Sequence, residues 1–96
     1  MVLGVNDLIE VLDELYDVRA KWYDIGLRLN VPVETLEKIR GPDDNSRLRQ
    51  VLTIWLRSGN ATWPDLCQVL RHRTIGKERL ANALLAKYHT SKQLHY

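Results

Sequence analysis

The chain has 96 residues, with 14 lysines and arginines against 12 aspartates and glutamates, so its formal net charge is +2. This length predicts a single domain over residues 1–96, with a modest core between about residues 6 and 89. No apolar run approaches the roughly 18 residues of a membrane span, and the N-terminus lacks a signal-peptide pattern. A lone cysteine, Cys67, excludes an internal disulfide and fits a reducing compartment.

The small net charge hides a strong asymmetry along the chain. Residues 1–45 carry ten acidic and five basic side chains, whereas residues 46–96 carry two acidic and nine basic ones. A chain divided in this way is suited to head-to-tail contact with a copy or a relative of itself.

The first predicted helix is capped by Asn6 and runs to about Tyr16. Its predicted buried face is formed by Leu8, Leu12 and Leu15, and Ile9 and Val11 lie beside that face. The opposite face carries acids at i, i+3, i+4 and i+7, here called the acidic stripe: Glu10, Asp13, Glu14 and Asp17. This stripe is either a solvated face or a docking surface for a basic partner.

A second helix is predicted from about Arg19 to Leu29, and Asn30 ends it. Gly26 lies on its apolar face and predicts the close approach of a neighbouring helix. Pro32 suits the first turn of a short third helix that continues to about Ile39. Leu36 and Ile39 are expected to point inward, and the outward positions are Glu34, Glu37 and Lys38.

Helices four and five form the strongest amphipathic pair. Asp44 or Asn45 is expected to cap helix four, which runs to about Arg57, and Gly59 is expected to adopt a left-handed conformation in the turn that follows. The outward positions of helix four, flanked by Ile54, are Arg47, Gln50, Thr53 and Arg57.

Thr62 and Asp65 give the start signal of helix five, from about Trp63 to His72, with Pro64 in its first turn. Helix six begins after Gly76 and continues to about Tyr88, with Ile75 and Leu80 as a staple across its start. The tail, residues 90–96, has no periodicity and is expected to fray.

These patterns predict an all-α protein, a six-helix antiparallel bundle. Its expected core residues are Trp22, Ile25, Leu29, Leu48, Leu52, Trp55, Trp63, Leu66, Leu70, Leu80 and Leu84.

No arrangement that supports catalysis stands out. Cys67 lies on the apolar face of helix five and is expected to be a buried, inert thiol. The spacing of His72, His89 and His95 predicts no metal site, and acids on a convex helix lack the walls that acid–base catalysis requires. We expect no enzymatic activity, no cofactor and no metal.

A cluster of bases lies around the junction of helices five and six, here called the basic corner: Arg71, Arg73, Lys77 and Arg79. A small helical domain could use this corner to contact nucleic-acid phosphates. The acidic first half would repel a polyanion, however, and no helix carries the Arg/Asn/Gln pattern that reads base edges. Nucleic-acid binding is therefore the alternative to a protein-interaction function.

Three stretches, in this order and spacing, resemble the death-domain family. WYDIGLRLNVPVETLEKIR is similar to the family's helix two–three region, and NSRLRQVLTIWLRSGNATWPDLCQVL is similar to its helix four–five pattern. IGKERLANAL resembles the start of its last helix. The positions of Trp55 and Trp63 favour the death domain proper over caspase-recruitment, death-effector and pyrin domains.

The resemblance implies a cytoplasmic, non-enzymatic module that binds other death domains in apoptotic or inflammatory signalling, as one domain of a receptor, adaptor or scaffold protein. Such modules often form helical or layered oligomers through several asymmetric patches.

In this family one patch pairs helices one and four of one copy with helix two of the next. The first side of that patch corresponds here to Asp13, Glu14, Asp17, Arg47, Gln50, Thr53 and Arg57. The receiving side corresponds to Asp24 and Arg28. Further patches correspond to helix three, through Glu34, Glu37 and Lys38, and to the basic corner.

Overall fold

A computed structural model of the chain describes the backbone of residues 2–90 and the side chains of residues 2–88. Within these residues the chain is entirely helical and forms no strand. The six α-helices are α1 (Leu8–Glu14), α2 (Trp22–Arg28), α3 (Val33–Lys38), α4 (Asp44–Leu56), α5 (Trp63–Arg71) and α6 (Glu78–Leu84). No helix among the described residues has the length and apolarity that crossing a membrane requires.

The predicted first helix is broken into shorter pieces. A 3₁₀ turn, Val5–Asp7, precedes α1, and a 3₁₀ helix, Tyr16–Lys21, follows it. The Asp7 carboxylate, rather than the expected Asn6, anchors this start by accepting a 2.9 Å hydrogen bond from the Gly4 N–H. Leu15 and Val18 are both buried, and a 3₁₀ helix places residues three apart on the same side. Burial of this pair favours the tighter helix here.

The end of α2 follows the prediction for Asn30, which adopts a left-handed φ of 67°. The Asn30 N–H bonds to the Leu27 carbonyl at 3.2 Å, and the Val31 N–H bonds to the Gly26 carbonyl at 3.0 Å. This is a Schellman arrangement, which satisfies carbonyls at the helix end and turns the chain sharply towards α3. α3 begins at Val33, so Pro32 stands just before the helix rather than in its first turn.

The corner between α4 and α5 matches the predicted turn chemistry. Gly59 has a φ of +84°, and the Thr62 hydroxyl accepts a 3.2 Å hydrogen bond from the Asp65 N–H at the start of α5. The cap of α4 differs by one residue from the expectation of Asp44 or Asn45. Asp43, in extended backbone conformation, accepts a 2.9 Å hydrogen bond from the Ser46 N–H. An extended residue directs its side chain back over the first turn, which a helical Asp44 cannot do.

One large core cluster joins α1, α2, α4, α5 and α6. The predicted core residues buried in it are Ile25, Leu29, Leu48, Leu52, Trp55, Trp63, Leu66, Leu70 and Leu84. Trp22 and Leu80 are only half-buried and pack against the cluster from its edge. Trp22 also contacts a second cluster, so its ring joins two apolar regions and is not enclosed by one.

The second cluster is small and attaches α3 to the bundle. It consists of Val31, Leu36, Ile39 and Val51. Gly26 makes this attachment possible, because a Cβ at that position would lie 2.5 Å from Leu36 Cδ2 and 3.3 Å from Val51 Cγ1. The predicted close approach at Gly26 is therefore confirmed, and the approaching side chains come from α3 and α4.

The chain continues beyond α6 in a π-helical turn, Leu85–Thr90. Leu85 and Tyr88 pack against the large cluster, and the Tyr88 ring stacks on Trp63 with centroids 4.1 Å apart and planes 9° apart. Apart from the backbone of Thr90, the segment expected to fray, residues 90–96, lies outside the described residues.

Candidate protein-interaction surfaces

The basic corner is exposed around the turn between α5 and α6. Lys77 and Arg79 flank the start of α6, and Arg71 donates a 2.5 Å hydrogen bond to Asn82 Oδ1 across the two helices. Gly76, with a φ of +67°, reverses the chain so that both helices present their bases at one end. Lys21 also reaches this end, where its Nζ donates a 3.0 Å hydrogen bond to the Thr74 carbonyl. The folded corner thus contains one more cation than the sequence pattern indicated.

The acidic stripe is not a continuous row in the folded chain. Glu10 and Asp13 are exposed on α1, whereas Asp17 lies in the following 3₁₀ helix and does not continue the α-helical spacing. Glu14 is 22% exposed, and its Oε2 accepts hydrogen bonds from Lys87 Nζ at 2.7 Å and from the Tyr88 hydroxyl at 2.5 Å. Its carboxylate therefore serves a contact within the chain.

These two hydrogen bonds explain the electrostatics of the site. The hydrogen bond from Lys87, followed by that from Tyr88, holds the pKa of the Glu14 carboxyl below its ordinary value. In return, Glu14 raises the pKa of Lys87, and burial raises the pKa of the Tyr88 phenol. The group of three side chains is thus most stable with Glu14 ionised and both donors protonated.

Most of the polar residues expected at the helix-four patch bind neighbouring backbone. Arg47 donates to Asp44 Oδ1 at 3.2 Å and to the Gly41 carbonyl at 3.0 Å. Gln50 Nε2 donates to the Arg40 and Ser46 carbonyls, and Thr53 Oγ1 donates to the Arg49 carbonyl at 2.8 Å. The bonds to Gly41 and Arg40 fix the loop between α3 and α4, the bond of Thr53 lies within α4, and Arg57 is exposed at the end of α4.

The remaining expected residues lie on α2 and α3. Asp24 is half-buried and Arg28 is exposed, and Arg28 lines a polar cleft with Asp65 and Gln68 of α5. On α3, the exposed side chains include Glu34, Glu37 and Lys38. The fold places α1 against α4, so the two helices on the first side of the expected patch are neighbours, and α2, on its receiving side, packs against α3.

Cys67 is buried in the large cluster, as its place on the apolar face of α5 predicted, and burial raises the pKa of its thiol. Among the described side chains, residues 2–88, no group of three or more His, Cys, Asp or Glu side chains is arranged to hold a metal ion.

Sequence reasoning missed four residues that shape these surfaces: Lys21, Arg49, Lys87 and Tyr88. Lys21 contacts a carbonyl 53 positions away, and Lys87 and Tyr88 contact Glu14 across 73 and 74 positions. No local pattern could have indicated these contacts, because they depend on how the two ends of the chain meet. Arg49 could have been found, since it is an outward position of α4 beside Gln50 and Thr53.

The comparison with known families agrees with this architecture. The sequence model of the death-domain family matches residues 6–87, which include all six helices. Neither a curated protein nor a solved structure gave a significant match. The chain therefore belongs to the death-domain family, whose members are six-helix protein-interaction modules of death signalling that bind other death-fold domains.

Proposed function

We propose that this domain mediates homotypic death-domain association in apoptotic or inflammatory signal transduction. It acts in the cytoplasm, as one domain of a larger receptor, adaptor or scaffold protein, and performs no catalysis itself. The proposal rests chiefly on one observation, the exposure of both signs of charge on one domain. The acids Asp13 and Asp17 are exposed on α1 and on the 3₁₀ helix after it, and the basic corner is exposed around the turn between α5 and α6.

The charges on these two surfaces are available to a partner. Among the described side chains, residues 2–88, no ion pair engages Asp13 or Asp17, or Arg73, Lys77 or Arg79 of the basic corner. Opposed charges of this kind orient two domains during their approach and disfavour like-charged partners. Because the charges are exposed, we expect association to weaken as ionic strength rises.

The family's first patch can be assigned to this chain on the same grounds. Asp13, Asp17 and Arg57 are exposed on its first side, and Asp24 and Arg28 form the receiving side. Glu34, Glu37 and Lys38 provide a patch on α3, and the basic corner provides another. Arg47 and Gln50 contribute mainly by holding the loop between α3 and α4, against which a partner would pack, and Thr53 contributes from the surface of α4. Glu14 contributes indirectly, because it fixes the end of α1.

A pull-down against a panel of death domains tests the proposal. Reversal of the basic corner with Arg73→Glu, Lys77→Glu and Arg79→Glu should strongly weaken capture of other death domains that the wild type retains, with unchanged helicity and melting temperature. Glu78→Gln is the control at the same corner, because it removes the local acid and should leave capture intact. A wild-type domain that captures no death domain, itself included, would contradict the proposal.

Nucleic-acid binding is the second candidate, because the same corner presents a cluster of exposed bases. A salt titration of binding to DNA and RNA separates the two functions, since contacts with phosphates weaken steeply as salt rises. We expect no measurable binding near physiological salt. Tight, steeply salt-dependent binding together with no captured death domain would favour the nucleic-acid function instead.

A further inference from the structure

We propose that a second copy of this chain docks its first helix into a groove between α1, α3 and α4, so that two copies form a two-fold symmetric pair. The inference rests on the proposed function, because it names the partner and the surface of one homotypic contact. It differs from the patches discussed above in being symmetric and in having an apolar centre.

The groove is a mainly apolar depression of about 450 Å³. Its apolar lining comes from Leu8 of α1, Ile39 after α3 and Ile54 of α4. The depression is open to solvent, whereas a site for a small molecule encloses most of its ligand. The shape is therefore better suited to side chains projecting from another protein surface.

The polar groups of the groove define what the occupant must offer. Gln50 and Thr53 line it, but their donors are already bonded to the backbone carbonyls of Arg40, Ser46 and Arg49. Lys38 and Arg49 are exposed along it, and neither forms an ion pair with another described side chain, within residues 2–88. An occupant that fits must combine apolar side chains with carboxylates.

The first helix of the chain carries such a surface, here called the α1 strip and formed by Val5, Ile9, Glu10 and Asp13. Val5 is 41% exposed and Ile9 is 64% exposed. Ile9 and Asp13 are four residues apart and share one side of α1, with Glu10 beside them and Val5 exposed in the 3₁₀ turn just before the helix. The strip therefore combines apolar contact with negative charge, which complements the groove of another copy.

The position of the strip beside the groove indicates the symmetry. Leu8 lines the groove, and Ile9 is the next residue, about 100° further around the helix. The strip and the groove therefore meet on α1, at the neighbouring residues Ile9 and Leu8. A two-fold contact buries both surfaces of both copies at once, since each strip enters the other copy's groove.

Two charge-reversed variants test the pair directly. Variant one carries Glu10→Lys and Asp13→Lys in the strip, and variant two carries Lys38→Glu and Arg49→Glu in the groove. Each variant alone should self-associate at least about tenfold more weakly than wild type in sedimentation equilibrium, because like charges then face each other. An equimolar mixture should recover association, because strip and groove are again opposite in charge at both contacts.

Matched controls distinguish the effect of this surface on self-association from general effects of net charge and hydrophobicity. Asp65→Lys with Glu78→Lys changes the net charge as much as variant one but lies on α5 and α6, so it should leave the self-association constant unchanged. Ile9→Ser should weaken self-association, whereas Val33→Ser, at the exposed start of α3, should not.

The inference is overturned if the wild type remains monomeric at all accessible concentrations, if both variants associate like wild type, or if the mixture fails to recover association. Capture of other death domains through the basic corner would persist in each of those cases if the proposed function holds. Loss of that capture as well would overturn both this inference and the proposed function.

Discussion

The hydroxyl of Tyr88 donates a 2.5 Å hydrogen bond to the carboxylate of Glu14, which lies 74 residues earlier in the chain. The ring of the same tyrosine stacks on Trp63 of α5, and Lys87 adds a 2.7 Å ion pair to Glu14. The turn after α6 thereby joins the end of α1 to the start of α5. This contact links the first helix to the last helical segment of the described chain, at one edge of the core.

Variants of Tyr88 should separate the hydrogen bond from the stacked ring. Tyr88→Phe keeps the stacking on Trp63 and should lower the free energy of unfolding by about 1.5 kcal/mol, because one hydrogen bond to a charged group is lost. Tyr88→Ala also loses the aromatic pair and its buried area, and should cost about 3 kcal/mol. Urea denaturation with unchanged m-values measures both losses. Equal stability of wild type and Tyr88→Phe would contradict the role of the hydroxyl.

The depressed pKa of Glu14 makes part of the stability pH-dependent. A carboxyl whose folded-state pKa is lowered contributes fully above its unfolded value, about 4.5 here, and the contribution is lost as the pH falls through the folded-state pKa. The difference in unfolding free energy between wild type and Glu14→Gln should therefore be largest near pH 7 and shrink below pH 4.5. Urea titrations from neutral to acid pH measure it.

Asp43 also makes stability depend on pH, because hydrogen bonds from Ser46 lower the pKa of its carboxyl. Wild type and Glu14→Gln share this contribution, so it cancels when their stabilities are compared. Subtracting one stability curve from the other isolates Glu14. If the difference in unfolding free energy stays constant with pH, the contact of Glu14 with Lys87 and Tyr88 does not require an ionised carboxylate.

Gly26→Ala should destabilise the domain even though alanine is the better helix former. The propensity gain is about 1 kcal/mol. The new methyl group would meet Leu36 Cδ2 at 2.5 Å in a packed site, and overpacking costs about 1–3 kcal/mol. We expect a net loss of about 1 kcal/mol in chemical denaturation. In a double-mutant cycle with Leu36→Ala, the combined loss should be smaller than the sum of the single losses. Additive losses would contradict the close contact.

Trp63→Ala should be the most damaging of these substitutions. Trp63 is 6% exposed, and its indole packs in the large cluster beneath Tyr88. Truncation should cost roughly 3–5 kcal/mol, enough to unfold a marginally stable domain. Trp63→Phe keeps an aromatic ring for Tyr88 and should cost clearly less. Melting curves followed by far-UV circular dichroism provide the test, and a loss below about 1 kcal/mol for Trp63→Ala would contradict its burial.

Local chemistry made several features predictable before the structure was available. The caps and turns at Asn30, Gly59 and Thr62 depend on residues within a few positions, and the structure confirms each of them. The helical periodicity likewise indicated six helices and most of the buried positions. The errors at helix ends, at Asn6, Pro32 and the cap of α4, are shifts of one residue or a different helix type. At Asn6 and at the cap of α4, several polar residues compete for one helix end.

The candidate surfaces were harder to predict because exposure depends on neighbours distant in sequence. Glu14 belonged to a regular acidic stripe, yet its carboxylate binds Lys87 and Tyr88. Ile9 stood beside the buried leucines of the first helix, yet it is exposed because the core contacts the opposite side of α1. The groove combines residues from three helices, and periodicity within one helix carries no information about such a combination.

The sequence by itself determined the helical class of this protein, the ends of several helices, the apolar stripes and the division of charge between its two halves. These properties follow from interactions within about one helical turn and from composition. The tertiary structure alone decided that Glu14 is bound, that Ile9 is exposed, that Leu36 packs on Gly26 and that Lys21 joins the basic corner. Each of these depends on contacts between distant segments, which exist only once the bundle has packed.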